Sequence, residues 1–148
     1  MPDTLETVVA FDFGLRRIGI AVGQQVTGSA NPLGIAANGE AGPDWVTISK
    51  IVGDWRPARL IVGLPSHSDG SPSDVGRQAG LFADALCRYQ LPVDTIDERY
   101  SSIEAEEMLK RERALGIRGR IKKEMIDSAA AVLIAERWLQ KNSEPAIR

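Results

Sequence analysis

The chain has 148 residues and a formal net charge of −2, the size of one domain with enough length to bury a core. Apolar stretches such as Ala129 to Ala135 are far too short to span a membrane. Cys87 is the single cysteine and His67 the single histidine, which excludes an internal disulfide and a zinc site built from the usual Cys and His ligands. Any metal would therefore sit on oxygen ligands, which points to magnesium or manganese. No basic-then-apolar leader opens the sequence, so the expected location is the cytoplasm, without a membrane partner.

Thr7 to Phe13 is a nearly continuous apolar run, the pattern of a strand buried on both faces. Gly14 to Arg17 reads as a turn, Ile18 to Val22 as a strand pairing back, and Ser29 to Ile35 as a third strand. The period then changes. Asp44 is placed as an N-cap, and Ile48, Ile51, Val52 and Trp55 follow at helical spacing. Arg59 to Gly63 reads as a short strand, closed by a loop from Leu64 to Pro72. Val75, Ala79, Phe82 and Leu86 mark the next helix, and Val93 to Glu98 the next strand. Ser101 and Glu104 form a capping box for a helix running to about Arg113. A basic loop follows, and Ile126, Ala129, Ala130, Leu133 and Ile134 draw the stripe of a final helix. No repeat or linker divides the chain, so residues 1–148 are expected to form one domain. The fold class is α/β: an antiparallel three-strand meander leading into strand-helix units, with a mixed sheet and helices on both faces.

Three acids stand out against this pattern. Asp12 interrupts the apolar run Val8, Val9, Ala10, Phe11, Phe13, where a buried carboxylate is costly unless it is bonded, paired or metal-bound. Its plain alternative is a turn-forming Asp beside Gly14. Glu98 closes a strand just before a helix cap, and alternation sends Asp97 to the other face. Its plain alternative is an ion pair with Arg99 or an exposed strand end. Asp127 borders the apolar stripe of the last helix, or else simply complements the helix dipole. Converging carboxylates repel one another unless divalent cations neutralise them. Two hard cations bridged by carboxylates, about 3.5–4 Å apart, are a known arrangement for phosphodiester cleavage. Between Arg111 and Lys123 the chain carries six basic residues against the single acid Glu112. Such a patch can attract phosphates although the total charge is acidic, or can be ordinary solvated surface.

The motifs Phe11-Asp12-Phe13-Gly14, Arg17-Ile18-Gly19-Ile20-Ala21-Val22-Gly23, Ile61-Val62-Gly63-Leu64-Pro65 with Asp69-Gly70, Asp97-Glu98-Arg99-Tyr100-Ser101-Ser102 and Ile126-Asp127-Ser128-Ala129-Ala130-Ala131 come in one order along nearly the whole chain. In them the chain resembles the YqgF family of pre-16S rRNA nucleases, also described as Holliday-junction-resolvase-like. The resemblance implies a ribonuclease-H-like fold, magnesium or manganese as cofactor, and trimming of the 5′ end of the small-subunit rRNA precursor. It implies that Asp12, Glu98 and Asp127 hold the metal and are catalytic, with Lys123 contacting the scissile phosphate. Arg17 and Arg99 are further candidates for phosphate or for holding the carboxylates. Arg118, Arg120, Lys122 and Lys123 are the candidate nucleic-acid contacts of the basic segment. The chain departs from the family pattern at Leu15 and Arg16, where a small hydroxyl residue and a lysine are usual. It departs again at Ser66-His67-Ser68, where Asn-Met usually precedes the Asp-Gly. These differences bear on substrate preference and on the role of the loop Ser66 to Ser71; His67 there is a candidate RNA contact or an incidental loop residue.

The expected partner is a ribosomal RNA precursor or ribosomal particle, the protein being a monomer or weak homodimer. Resolution of branched DNA is the alternative within the nuclease class and calls for a dimer with two symmetric sites. An ATP-dependent phosphotransferase shares the Asp-x-Gly hairpin but needs two such domains to clasp a nucleotide. A non-catalytic assembly factor would keep the fold without needing the acids.

Overall fold

A computed structural model describes residues 6–65, 74–98 and 123–142. Its element order is β1 (Thr7–Asp12), β2 (Arg17–Gln24), β3 (Ser29–Ala37), α1 (Trp45–Trp55), β4 (Arg59–Pro65), α2 (Asp74–Ala85), a 3-10 turn (Leu86–Tyr89), β5 (Val93–Glu98) and α3 (Lys123–Asn142). The five strands form one sheet in the order β3-β2-β1-β4-β5. β1 pairs antiparallel with β2 and parallel with β4, and β4 pairs parallel with β5. The expected meander and mixed sheet are both present. The helix expected from Ser101 to about Arg113 lies outside the described residues.

β1 is the central strand, and Val8 to Phe11 are fully buried because helices cover both sheet faces. Val9, Phe11, Ile18, Ile20, Leu60 and Val62 face α1 and α2. There Phe82 meets Phe11 edge-on and packs on Phe13, both at 5.4 Å between ring centroids. Val8, Ala10 and Ile61 face α3 through Ile134, Ala135, Trp138 and Leu139. Each large side chain so buried contributes about 1.5–3 kcal/mol. The alanines of α3 let its backbone come close to the sheet. A Cβ on Gly23 would lie 3.2 Å from Leu139 Cδ1 and 3.4 Å from the Ala135 Cβ.

Local chemistry explains where the boundaries moved. Asp44 caps α1 as expected, accepting from the Thr47 backbone N–H at 3.2 Å and the Thr47 hydroxyl at 2.7 Å. α1 ends in a left-handed residue, Arg56 (φ 46°), followed by Pro57. β3 runs two residues past Ile35, to Ala37. It is an edge strand whose register shifts opposite Ile20 and Ala21, and that irregularity accommodates Pro32. β4 continues through Leu64 and Pro65, which the sequence assigned to the loop. The proline sits on the last rung, opposite Glu98, where a missing N–H is tolerated. Leu86 is buried as expected but belongs to the 3-10 turn rather than to α2. Cys87 lies in the same turn and is exposed. The final helix begins at Lys123, three residues before the Ile126 that opens its apolar stripe.

Candidate active site

The strand registers place the acids. Asp12 ends β1 opposite Gly19 of β2 and Gly63 of β4, and Gly63 in turn lies opposite Ile96 of β5. Directly paired residues share a face, so Gly19, Asp12, Gly63 and Ile96 form one row across the sheet. This row has the parity of Val8 and Ala10, which places it on the α3 face. Glu98 lies two residues beyond Ile96 and so occupies the same face of β5. Two strand spacings, with β4 between, separate it from Asp12, about 10 Å across the sheet. Asp97 has the opposite parity, as alternation predicted.

Glycines on both sides of Asp12 leave its two nearest cross-strand positions without side chains. The Asp12 carboxylate is half-buried, at the end of a strand whose preceding four residues are fully buried. Sequence reading passed over Gly19 and Gly63, although glycine inside a strand signals a close approach or a space left open.

The direction of α3 follows from three contacts. Trp138 donates its indole N–H to Asp94 near the start of β5, at 2.8 Å. Ala135 lies beside Gly23, which is paired with Val8. The Ser128 hydroxyl donates to the Gly34 carbonyl at 3.1 Å, and Gly34 is level with Ile20 and Phe11. Going backwards along α3 therefore means going towards the end of the sheet that carries Asp12. The five residues Lys123 to Asp127 extend the helix in that direction by about 7 Å. Arg17 opens β2 with the parity of Gly19, on the same face and at the same end.

The backbone thus brings Asp12, Arg17, Glu98, Asp127 and Lys123 to one end and one face of the sheet. The side chains of Glu98, Lys123 and Asp127 lie outside what is described, as do Arg99, Arg118, Arg120, Lys122 and His67 entirely. Among the described residues no group of three or more His, Cys, Asp and Glu side chains gathers. Oxygen donors on rigid strand ends, with glycines beside the central one, nevertheless suit a hard divalent cation.

The hairpin that sets Asp12 is fixed from outside. Asn38 donates its side-chain N–H to the Gly14 carbonyl at 2.8 Å, and its backbone N–H to the Arg16 carbonyl at 2.9 Å. Gly14 is required by close approach, since a Cβ there would lie 2.6 Å from the Arg17 carbonyl oxygen. At the far end of the sheet, Arg59 bonds Glu6 at 3.1 Å and reaches Asp94 at 3.4 Å. Those bonds, Glu6 foremost, hold the Arg59 pKa above its ordinary value. This second cluster joins strands to α3 and stands apart from the Asp12 end.

Solved structures with this architecture include Thermus thermophilus RuvC in complex with a Holliday junction substrate. It matches over 93% of this chain and 96% of its own, with a TM-score of 0.54 and 15% identity. That likeness is one of fold, and it defines the class by architecture: a ribonuclease-H-like domain. The chain belongs to the RuvX family, described as Holliday junction resolvase, whose model matches residues 6–141. The family resemblance drawn from the motifs therefore holds, and it places the chain among nucleases. Its relatives include proteins named "Putative pre-16S rRNA nuclease" from Burkholderia lata, 44% identical, and Burkholderia cenocepacia, 42% identical. Each match covers 93% of this chain and 91% of the relative. Among the described residues no helix is long and apolar enough to cross a membrane.

Proposed function

We propose that this protein is a divalent-metal-dependent nuclease that processes the 5′ end of pre-16S ribosomal RNA in the cytoplasm. Its whole chain acts as one domain, and Asp12, Glu98 and Asp127 hold the metal. The observation that carries the reading is the placement of these three positions at one end of one sheet face. The relatives' names supply the substrate.

Magnesium or manganese bound there would stabilise charge on the phosphoryl oxygens and lower the pKa of the attacking water. The chain's own residues do the positioning. Burial of Val8 to Phe11 fixes Asp12 at the strand end, and Gly19 and Gly63 put no side chain on the rungs directly beside it. The N-terminal end of α3 turns the positive end of its dipole towards this end, which favours an anionic phosphate. Lys123 contacts the scissile phosphate, with Arg17 and Arg99 on adjoining phosphates or holding the carboxylates. Arg118, Arg120 and Lys122 hold the backbone of the strand, a sequence-independent contribution.

A second reading, resolution of four-way DNA junctions, is favoured by the family description. Cutting two strands symmetrically needs two sites and hence a dimer. Side-by-side assays on rRNA precursor and on a four-way junction, with the oligomeric state measured under each condition, separate the two.

A further inference from the structure

At the same end of the sheet, on its other face, lies a groove that none of the proposed chemistry uses. It has a volume of about 320 Å³ and opens between the β1–β2 turn, the segment before α1, and α2. That is at the small end of the range for small-molecule sites. Its floor is aromatic: Trp45 stacks on Phe82 with centroids 5.7 Å apart and planes 23° from parallel. The Arg88 guanidinium lies over the Trp45 ring, 3.7 Å from its centroid. Arg88 is exposed and also donates to the Ala85 carbonyl at 3.2 Å. A guanidinium laid on an indole presents a flat cationic platform, a surface on which nucleobases stack.

The rest of the lining is suited to the same ligand. Asn38 is anchored through its side-chain N–H to Gly14, which leaves its carbonyl oxygen to accept. Gln78 stands exposed on α2 with a full amide. Leu15 and Leu81 flank the groove and are 58% and 63% exposed, apolar surface that a base laid in the groove would cover. Phe13, which lines the groove, directly follows Asp12 in the chain. Site and groove thus stand at the same end of β1 on opposite faces of the sheet, so a strand passing round that end from a phosphate at Asp12 would bring a neighbouring base to the groove.

We infer that this groove is a subsite for one unstacked base of the substrate strand next to the cleaved phosphate, with Arg88 on Trp45 as its stacking platform. The inference rests on the nuclease reading for its substrate, and on the groove alone for its chemistry. A base held there fixes the register of a single strand relative to the carboxylates, which a helix-bound base cannot do.

The test is a nitrogen-15 NMR titration of the full chain in EDTA, with a short oligoadenylate and with an abasic strand of equal length. The Trp45 indole N–H and the Asn38 and Gln78 side-chain amides are expected to shift with oligoadenylate and not with the abasic strand. Arg88→Ala should weaken oligoadenylate binding about tenfold, the scale of a lost base stack. The uncharged, exposed changes Leu81→Ala and Gln78→Ala should weaken it severalfold and leave abasic binding unchanged. Equal shifts from both strands, or none from either, would overturn the subsite. If the shifts fail while metal-dependent cleavage persists, the subsite is lost and the nuclease stands. If the base binds as described but no cleavage occurs, the nuclease reading is lost and the subsite stands.

Discussion

Asp12 and Gly63 face each other on the last rung of the parallel ladder between β1 and β4. A carboxylate with a glycine on either side, Gly63 on one strand and Gly19 on the other, has no cross-strand side chain directly beside it, and a larger residue at either position would crowd it. Gly63→Val should therefore cut cleavage at least tenfold while the far-ultraviolet circular dichroism stays that of the wild type. Unchanged turnover in a folded Gly63→Val protein would show that the space beside Asp12 is not used.

The β1–β2 hairpin depends on two small contacts. A Cβ at Gly14 meets the Arg17 carbonyl oxygen at 2.6 Å, so Gly14→Ala forces the backbone to move and should cost about 1–3 kcal/mol. Asn38→Ala removes the side-chain tie to Gly14 and should cost about 1 kcal/mol. Urea unfolding reads both as a lower midpoint with an unchanged slope. A midpoint unmoved in Gly14→Ala would contradict the hairpin geometry.

Trp138 is nearly buried and donates to the Asp94 carboxylate at 2.8 Å, with Arg59 5.7 Å from its ring centroid. Trp138→Phe keeps most of the apolar contact and removes the donor. The expected loss is about 2 kcal/mol, as for a hydrogen bond to a charged partner. Because this end of the sheet is far from Asp12, turnover per folded molecule should stay within about twofold at a temperature where the variant is folded.

The α1 cap predicts a pH dependence with a definite sign. The Thr47 hydroxyl and backbone N–H bond the Asp44 carboxylate and hold its pKa below the ordinary 3.8. A depressed folded-state pKa means the cap contributes fully above the unfolded value and is lost as pH falls through the folded one. Asp44→Ala should therefore melt a few degrees below wild type at neutral pH, with the gap closing below about pH 4. A gap that stays constant down to acid pH would mean that the ionised carboxylate is not what caps the helix.

These relationships were unequally legible in the sequence. β1 was readable because a strand buried on both faces leaves an uninterrupted apolar run, and Val93 to Glu98 fell at its observed limits. Asp44 announced α1 because a carboxylate before a helical period has one common use. β3 was legible from its first residue, Ser29, but its register shift, which accommodates Pro32, is a property set by its neighbour and was not legible. The start of α3 at Lys123 was not legible, because charge hides a helix start when the apolar stripe begins a turn later. Asp12 was visible as an acid in an apolar run, but its glycine neighbours are a cross-strand relationship, 7 and 51 positions away in sequence. Asn38 and the Trp45–Arg88 stack were likewise invisible before the chain was folded.

The central claim is tested most directly by incubating labelled small-subunit rRNA precursor with wild type and with Asp12→Asn, in magnesium, manganese or EDTA. The account predicts 5′-end processing by wild type with metal, none in EDTA, and loss of at least a thousandfold in a folded Asp12→Asn protein, as expected when a group that organises the reaction is removed. Equal cleavage by the two proteins, or cleavage that persists in EDTA, would contradict it.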